Sequence, residues 1–392
     1  MFKSVLSLTL AAALGTASFG QTTLTAIPGE AAAAKYASIS QEILRAIEKG
    51  NEYLKSKQNP EGYWAQPSYP ALTALAVTAY MRDPANQGKP VPEYIRKGYD
   101  FILKSQNEDG SIFNRGMSSY NTAVCMMALL AANKEEYAPA ILKGRAYLIK
   151  QQNHFAPDNP YNGGIGYGDK QAPPIADLSN TSLALEAIYY SQKLAKDGKY
   201  GEQPDLDWNA ATEFINRCQQ NPAVNKEPWV SNDKSQLGGF VYRPGVSSAR
   251  DKKSAAFDKA EPPKAYGSMT YAGMQSLIYA NVDKNDPRVK LALKWLENSY
   301  SLDENPGMGV QGLYYYYQAM SKALSAMGID TLTLENGRKV DWRDELANKL
   351  ISIQKSDGSW VNTNNRWWEA DPVLVTSYGV LALEQLYHSI PR

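Results

Sequence analysis

Five apolar segments of the chain share one pattern, in which a Thr is followed three residues later by a small residue and after three more by Ala or Ser. The copies are Thr73-Ala76-Ala79, Thr122-Cys125-Ala128, Thr181-Ala184-Ala187, Thr270-Gly273-Ser276 and Thr376-Gly379-Ala382. A step of three residues keeps these positions near one face of a helix. Because the segments are apolar nearly all round, they are predicted to be fully buried inner helices.

An amphipathic stretch with charge on the opposite face precedes each of these segments, as expected of an outer helix that buries one stripe. The stretches are Ile43-Ile47-Leu54, Val289-Leu293-Leu296, Leu346-Leu350-Ile353 and residues 92–105, 136–151 and 207–219. A sixth inner helix is expected from Gly312 to Ala326, where the tyrosines 314–317 replace the Thr. The pattern predicts an all-α fold, an (α/α)6 toroid of six outer–inner helix pairs, with an open helical solenoid as the alternative.

The connections from outer to inner helices carry a second signature. The pattern Q-x3-G-x-W occurs at Gln58-Gly62-Trp64 and Gln354-Gly358-Trp360, with a slipped copy at Gln106-Gly110-Phe113. Glycine tolerates a positive φ after a helix end, a Gln amide can satisfy helix-end backbone groups, and the aromatic ring fills the gap between pairs. Such turns in six α/α repeats resemble the squalene-hopene cyclase and protein prenyltransferase superfamily, and the resemblance covers residues 40 to 390. It implies a toroid with a central cavity.

Composition and charge narrow the class of partner. With 41 Lys and Arg against 40 Asp and Glu in 392 residues, the chain has no basic field that would attract nucleic acid. Residues 1–20 combine Lys3 with a short apolar stretch and small residues, which predicts a signal peptide and no transmembrane span. We therefore expect a secreted or periplasmic protein, with a flexible N-terminal segment at 21–38 and a single toroid domain at 39–392.

Three long connections, at about 153–176, 221–265 and 357–372, precede inner helices and should lie together on one face as functional loops. The residues that open the inner helices would then line a pocket with aromatic walls and a polar rim. The predicted ligand-binding residues are Tyr120, Asn121, Ser179, Asn180, Tyr266, Tyr271, Tyr315, Trp367 and Tyr378. Unpaired amides at the converging helix N-termini are expected to hold the head group of an amphipathic ligand. Ordinary helix capping, with tyrosines that simply fill the barrel, is the alternative.

Segment DLSNT, residues 177–181, stands where the resemblance implies the D-x-D-D-T motif of hopene-type cyclases. Asp177 and Thr181 match that motif, but Ser179 replaces the catalytic acid and Asn180 the last Asp. A Ser hydroxyl cannot protonate an alkene, so an acid would have to come from Asp177, Asp371 or Glu369. Asp177 and Asp371 are the predicted catalytic candidates.

No cofactor is expected. The zinc site implied by the prenyltransferase side of the resemblance needs Asp, Cys and His. The chain has two His, two Cys and no D-x-C, so no metal site is expected.

Three functions remain open, and the sequence does not decide whether the protein is an enzyme. The first is binding of an isoprenoid-like or other small amphipathic or apolar ligand, without the D-x-D-D acid or zinc. The second is a divergent terpene cyclase-like enzyme. The third is a secreted polysaccharide lyase or hydrolase. A lyase would take its base and cation from Tyr120, Tyr271, Arg243 and Arg366, whereas a hydrolase would pair Asp177 with Asp371.

Overall fold

The computed structural model describes residues 28–168, 175–249 and 262–390. In these parts twelve α-helices alternate between an outer and an inner layer. The outer helices are α1 (Pro28–Ser56), α3 (Glu93–Lys104), α5 (Ala138–Lys150), α7 (Trp208–Cys218), α9 (Pro287–Asn298) and α11 (Trp342–Ile353). The inner helices are α2 (Pro70–Arg82), α4 (Ser118–Ala131), α6 (Leu178–Lys196), α8 (Gly267–Tyr279), α10 (Leu313–Met327) and α12 (Pro372–Ser389). A two-stranded antiparallel hairpin of β1 (Leu332–Thr333) and β2 (Lys339–Val340) lies between α10 and α11.

The inner helices form a closed ring. Each one contacts the next along the chain, and α12 also packs against α2. Small residues permit this packing: a Cβ added to Gly379 on α12 would come within 3.0 Å of the Trp360 ring. The all-α toroid predicted from the helix pattern is confirmed, and ring closure excludes the open solenoid.

The first helix begins earlier than the sequence pattern placed the toroid. Helix α1 starts at Pro28, so residues 28–38 of the predicted flexible segment are helical. The Tyr36 hydroxyl donates to Asp341, the N-cap of α11, over 2.6 Å, which ties this part of α1 to the toroid. The run EAAAAKY has no apolar periodicity, but Ala, Glu and Lys are strong helix formers. The predicted signal peptide and residues 21–27 lie outside the described residues.

Gln–Gly turns lock five of the six helix pairs to the next outer helix. In the turn between α11 and α12, Gln354 Nε2 donates to the carbonyls of Gly358 and of Ala46 on α1, both over 2.9 Å. Gly358 has φ +88°, and a Cβ there would collide with the Lys49 carbonyl. The same arrangement occurs at Gln58-Gly62, Gln106-Gly110, Gln152-Gly163 and Gln219-Gly238. Two of these turns were not predicted, because long insertions separate the Gln from the Gly.

The repeated Thr of the inner helices completes the same turns. Thr376 Oγ1 accepts the backbone amide of Trp360 over 3.1 Å, and Thr73 does the same for Trp64 over 3.0 Å. Each indole donates to a carbonyl of its own outer helix. In the slipped copy the amide bonded to the Thr belongs to Ile112, which is fully buried and occupies the place in the turn that was predicted for Phe113. The repeated Thr therefore forms a hydrogen bond that joins the inner helix to the turn before it.

Candidate functional site

A cavity of about 280 Å³ opens among the N-terminal ends of the inner helices, on the face that carries the long connections. We call it the upper pocket. Seven of the nine predicted ligand-binding residues line it, namely Tyr120, Ser179, Asn180, Tyr266, Tyr315, Trp367 and Tyr378. The other lining residues are Tyr69, Leu72, Met117, Tyr167, Tyr242, Ser268, Met269, Gly312, Trp368, Glu369 and Leu374.

The two remaining predicted residues lie between helices and do not line the upper pocket. Asn121 is fully buried, and its Oδ1 accepts the amide of Ala71 at the start of α2 over 3.0 Å. The Tyr271 ring is buried 5.6 Å from the Tyr316 ring, between α8 and α10. Both therefore stabilise the helix ring, and neither is placed to contact a ligand in this pocket.

Tyr120, Tyr315 and Tyr378 form the floor of the upper pocket, which we call the tyrosine layer. The Tyr315 and Tyr378 rings are 6.1 Å apart, and the Tyr315 hydroxyl is 3.5 Å from Ser179 Oγ. Burial raises the pKa of Tyr120 and of Tyr315 to about 12, so both hydroxyls stay protonated at neutral pH. The layer thus presents neutral polar groups within an aromatic surface.

The same three tyrosines also line a second cavity of about 690 Å³, the lower chamber, which extends to the C-terminal ends of the inner helices. Its walls are mostly apolar near the tyrosine layer, and its far end carries charged and amide side chains. Examples are Leu75, Val124, Leu183 and Leu381 for the walls, and Arg82, Glu186, Lys322 and Gln385 for the far end. The tyrosines therefore divide the barrel and do not fill it.

Two adjacent tryptophans cover the upper pocket in an unusual backbone conformation. Trp367 and Trp368 have φ of +55° and +65°, a region that bulky residues seldom adopt. Trp367 is 46% exposed and lies under the Arg366 guanidinium at 4.4 Å, while Trp368 packs edge-on to Tyr69 at 4.6 Å. Met117, also at the pocket, has φ +49°. Backbone strain of this kind concentrates at ligand-binding and catalytic sites.

Neither predicted catalytic carboxyl lines the upper pocket or the lower chamber. Asp177 is the N-cap of α6: its two oxygens accept the backbone amide and the side-chain amide of Asn180 at 2.9 and 2.7 Å. Burial raises its pKa to about 6, against the opposing effect of these hydrogen bonds. Asp371 caps α12 by accepting the Val373 amide over 2.8 Å. Both aspartates are thus placed as helix caps.

Glu369 is the carboxyl that lines the upper pocket, and it is 1% exposed. It caps α10: its oxygens accept the amides of Tyr314 and Tyr315 at 3.3 and 2.8 Å, and Asn362 Nδ2 at 2.7 Å. Burial raises the pKa of Glu369, and these donors oppose that rise. The sequence offered Glu369 as one of three possible acids but gave no reason to prefer it.

Backbone amides that open the inner helices already have acceptors within the protein. Carboxylates serve α6, α10 and α12, as described above. Asn121 serves α2, the Tyr167 carbonyl accepts the Ser119 amide of α4 at 3.0 Å, and Asn305 accepts the Ser268 amide of α8 at 2.9 Å. The amides that were expected to hold an anionic head group at this rim therefore already have partners within the protein.

In the parts of the chain that the structure describes, no three or more His, Cys, Asp and Glu side chains are grouped so that they could hold a metal ion. Within the same ranges, none of the helices combines the length and apolarity needed to cross a membrane. Cys125 and Cys218 are buried free thiols, and burial raises the pKa of both.

The structure is similar to those of type II terpene cyclase MstE from Scytonema. The complex with geranylgeranyl dihydroxybenzoate, described as substrate, matches with a TM-score of 0.52 at 10% identity over 90% of this chain and 99% of that chain. The apo enzyme matches with a TM-score of 0.52 at 11% identity, over 89% and 99% of the two chains. The complex with merosterolic acid A, described as product, gives 0.51 at 10% identity, over 90% and 99%.

No family model matches the sequence. At these identities the structural similarity establishes the fold, which is the terpene cyclase-like α/α toroid predicted from the Gln–Gly–Trp turns.

Proposed function

We propose, from this terpene cyclase-like toroid, that the protein binds an isoprenoid-like ligand whose apolar body lies in the upper pocket above the tyrosine layer. The observation that carries the proposal is the composition of that pocket, where nine of the eighteen lining residues are Tyr or Trp. Aromatic faces offer large apolar contact and attract the partial positive charge of C–H edges.

Other lining residues suit a long, flexible apolar ligand. Met117 and Met269 have unbranched side chains that adapt to irregular shapes. Ser179, Asn180 and the tyrosine hydroxyls add a few polar groups that can orient the ligand. The MstE structures support the ligand class, since that enzyme has been captured with a geranylgeranyl substrate in the same fold.

The arrangement of acids favours binding over cyclisation. Protonation of an alkene needs an acid that faces the cavity, and Ser179 lines the upper pocket where the resemblance implies the acid. Asp177 is turned into the α6 cap, with both oxygens hydrogen-bonded to Asn180. We therefore propose a ligand-binding protein without the D-x-D-D acid, exported as the N-terminal segment predicts.

A divergent cyclase-like enzyme is the second candidate, and Glu369 is the observation in its favour. It combines a place in the upper pocket with a raised pKa, as a general acid requires. Incubation with geranylgeraniol and mass analysis of the products separates the two functions. A cyclised product that disappears in Glu369→Gln would establish catalysis, whereas unchanged alcohol supports binding alone.

The residues around the upper pocket do not support a polysaccharide lyase or hydrolase. A lyase needs a cation to neutralise the uronate, but among the described residues no Arg or Lys lines the upper pocket. Arg243 and Arg366 lie outside its lining, as does Tyr271. The carboxylates that a hydrolase would pair, Asp177 and Asp371, are helix caps.

Solvent extraction of the purified protein, followed by mass spectrometry, tests the binding function. Ser179→Phe places a ring in the upper pocket, and Ser56→Phe places the same ring on the exposed end of α1 as a control. We expect an isoprenoid in extracts of the wild type and of Ser56→Phe, and its loss from Ser179→Phe at unchanged melting temperature. Equal isoprenoid in all three proteins would contradict the proposed pocket.

A further inference from the structure

The upper pocket is a poor place for a negatively charged head group. Among the described residues Glu369 is its one charged lining residue, and it is itself an acid. Helix amides at its rim are already hydrogen-bonded to protein acceptors, as shown above. Its volume of about 280 Å³ is also at the lower limit of ligand pockets, which span roughly 300–1,000 Å³. A ligand of ordinary size therefore needs further space.

That space lies directly below. Tyr120, Tyr315 and Tyr378 line both cavities, so rotation of these side chains would join the upper pocket to the lower chamber of about 690 Å³. Below the layer the walls remain apolar, with Val124 and Leu381 among them. An apolar chain that passes the layer would therefore continue along apolar walls.

Two cations stand at the far end of the lower chamber, Arg82 on α2 and Lys322 on α10. Arg82 is held by a 2.6 Å hydrogen bond from Nη2 to Gln385 Oε1, and its side chain is 33% exposed. Lys322 forms an ion pair with Glu186 and is 19% exposed. Arginine at such a position can bond a carboxylate or a phosphate through two N–H groups.

Among the described residues, Arg82, Lys322 and Glu186 line this end and Glu384 does not, so the lining carries one more cation than carboxylate. Glu186 neutralises Lys322, whereas Arg82 has no comparably close carboxylate among the described residues: Glu384 Oε2 is 4.0 Å from Arg82 Nε. Within the described ranges neither oxygen of the fully buried Glu384 has a hydrogen-bond partner, and burial raises the pKa of Glu384 well above its ordinary value. Asp83 bonds Asn51 and the Ala85 amide and does not line the chamber.

We propose that the lower chamber is an anion site, in which Arg82 and Lys322 hold the carboxylate or phosphate head group of the ligand while its apolar tail crosses the tyrosine layer. This inference rests on the proposed function and reverses the orientation expected from the sequence, since the head group lies at the C-terminal ends of the inner helices.

A pair of ligands that differ in the head group tests the site: geranylgeraniol and geranylgeranyl phosphate, with affinities from tryptophan fluorescence titration. We expect the wild type to prefer the phosphate by about tenfold or more, because a hydrogen bond to a charged group contributes roughly that factor. Arg82→Gln should lose this preference. Because loss of Lys322 alone would leave Glu186 unpaired, the second variant is the double change Lys322→Met with Glu186→Gln, which should reduce the preference.

The matched control is Arg366→Gln, which removes a cation at the upper mouth and should keep the preference. Failure of geranylgeraniol to bind the wild type would overturn the proposed function and this inference together. Binding of the alcohol with no gain for the phosphate would overturn the head-group site alone. The head-group site would also be overturned if Arg366→Gln abolished the preference while Arg82→Gln retained it.

Discussion

The side-chain amide of Gln354 donates to the Ala46 carbonyl over 2.9 Å and so joins positions 308 residues apart in the sequence. It connects the turn before the last inner helix to the first outer helix. Four other Gln side chains make the equivalent bond to the following outer helix. The ring is therefore closed by the same contact that links consecutive helix pairs, and its ends should not unfold independently.

The contact between Gly358 and α1 predicts that an added methyl group will lower the free energy of unfolding substantially. Gly358→Ala forces a side chain into positive φ, which costs about 1–2 kcal/mol. It also drives Cβ into the Lys49 carbonyl, for about 1–3 kcal/mol more. Gly337→Ala is the control, since its φ is +80° and nothing lies within 4 Å of its added Cβ. Equal loss of unfolding free energy in urea for the two variants would contradict the closure contact.

Trp360 should contribute far more than Trp367 to the stability of the fold. Trp360 is fully buried and its indole donates to Leu350 over 2.8 Å. Trp360→Ala is expected to lower the free energy of unfolding by about 3–5 kcal/mol. Trp367→Ala removes the same side chain from an exposed position and should cost far less. An unchanged melting temperature for Trp360→Ala would show that the turns do not hold the helix pairs together.

The sequence predicted this framework because its signals are local. The inner helices are recognisable from small residues at steps of three, and three turns from Gln and Gly four residues apart. The turns at Gln152-Gly163 and Gln219-Gly238 were missed, since the inserted loops hide the same hydrogen bonds behind longer spacings. Loop insertion changes the distance along the chain without changing the geometry of the turn.

The titration of Asp177 provides a pH-dependent test of its burial at the start of α6. Its pKa is raised to about 6 in the folded protein, above the ordinary value of about 3.9. A raised folded-state pKa stabilises the protein below pH 4, and that contribution is lost as the pH rises from about 4 to about 6. The rise in pKa corresponds to about 3 kcal/mol.

The measurement is the difference in unfolding free energy between wild type and Asp177→Asn, followed from pH 4 to pH 7. Asn is a good N-cap and does not titrate in this range, so it serves as the reference. We expect the wild type to lose stability relative to the variant up to about pH 6, and the difference to be constant above it. A difference that does not change with pH would show that Asp177 has an ordinary pKa.

The sequence predicted which helix ends meet at the candidate site. It predicted less well which side chains point into the pocket. Asn121 follows Tyr120 by one position, and that step turns a side chain by about 100° around the helix. Tyr120 consequently faces the pocket and Asn121 faces α2. The cap that Glu369 provides for α10 joins positions more than fifty residues apart, and a single sequence carries no local sign of such a pair.

Photolabelling with a diazirine analogue of geranylgeraniol, followed by peptide mapping, tests the central claim most directly. If the ligand's apolar body lies in the upper pocket, label should appear on Met269 of α8 and in the Trp367-Trp368 loop, because both line that cavity. Free geranylgeraniol should compete for this label, and Ser179→Phe should remove it. Label confined to the outer helices, or label that free geranylgeraniol does not displace, would contradict the proposed binding site.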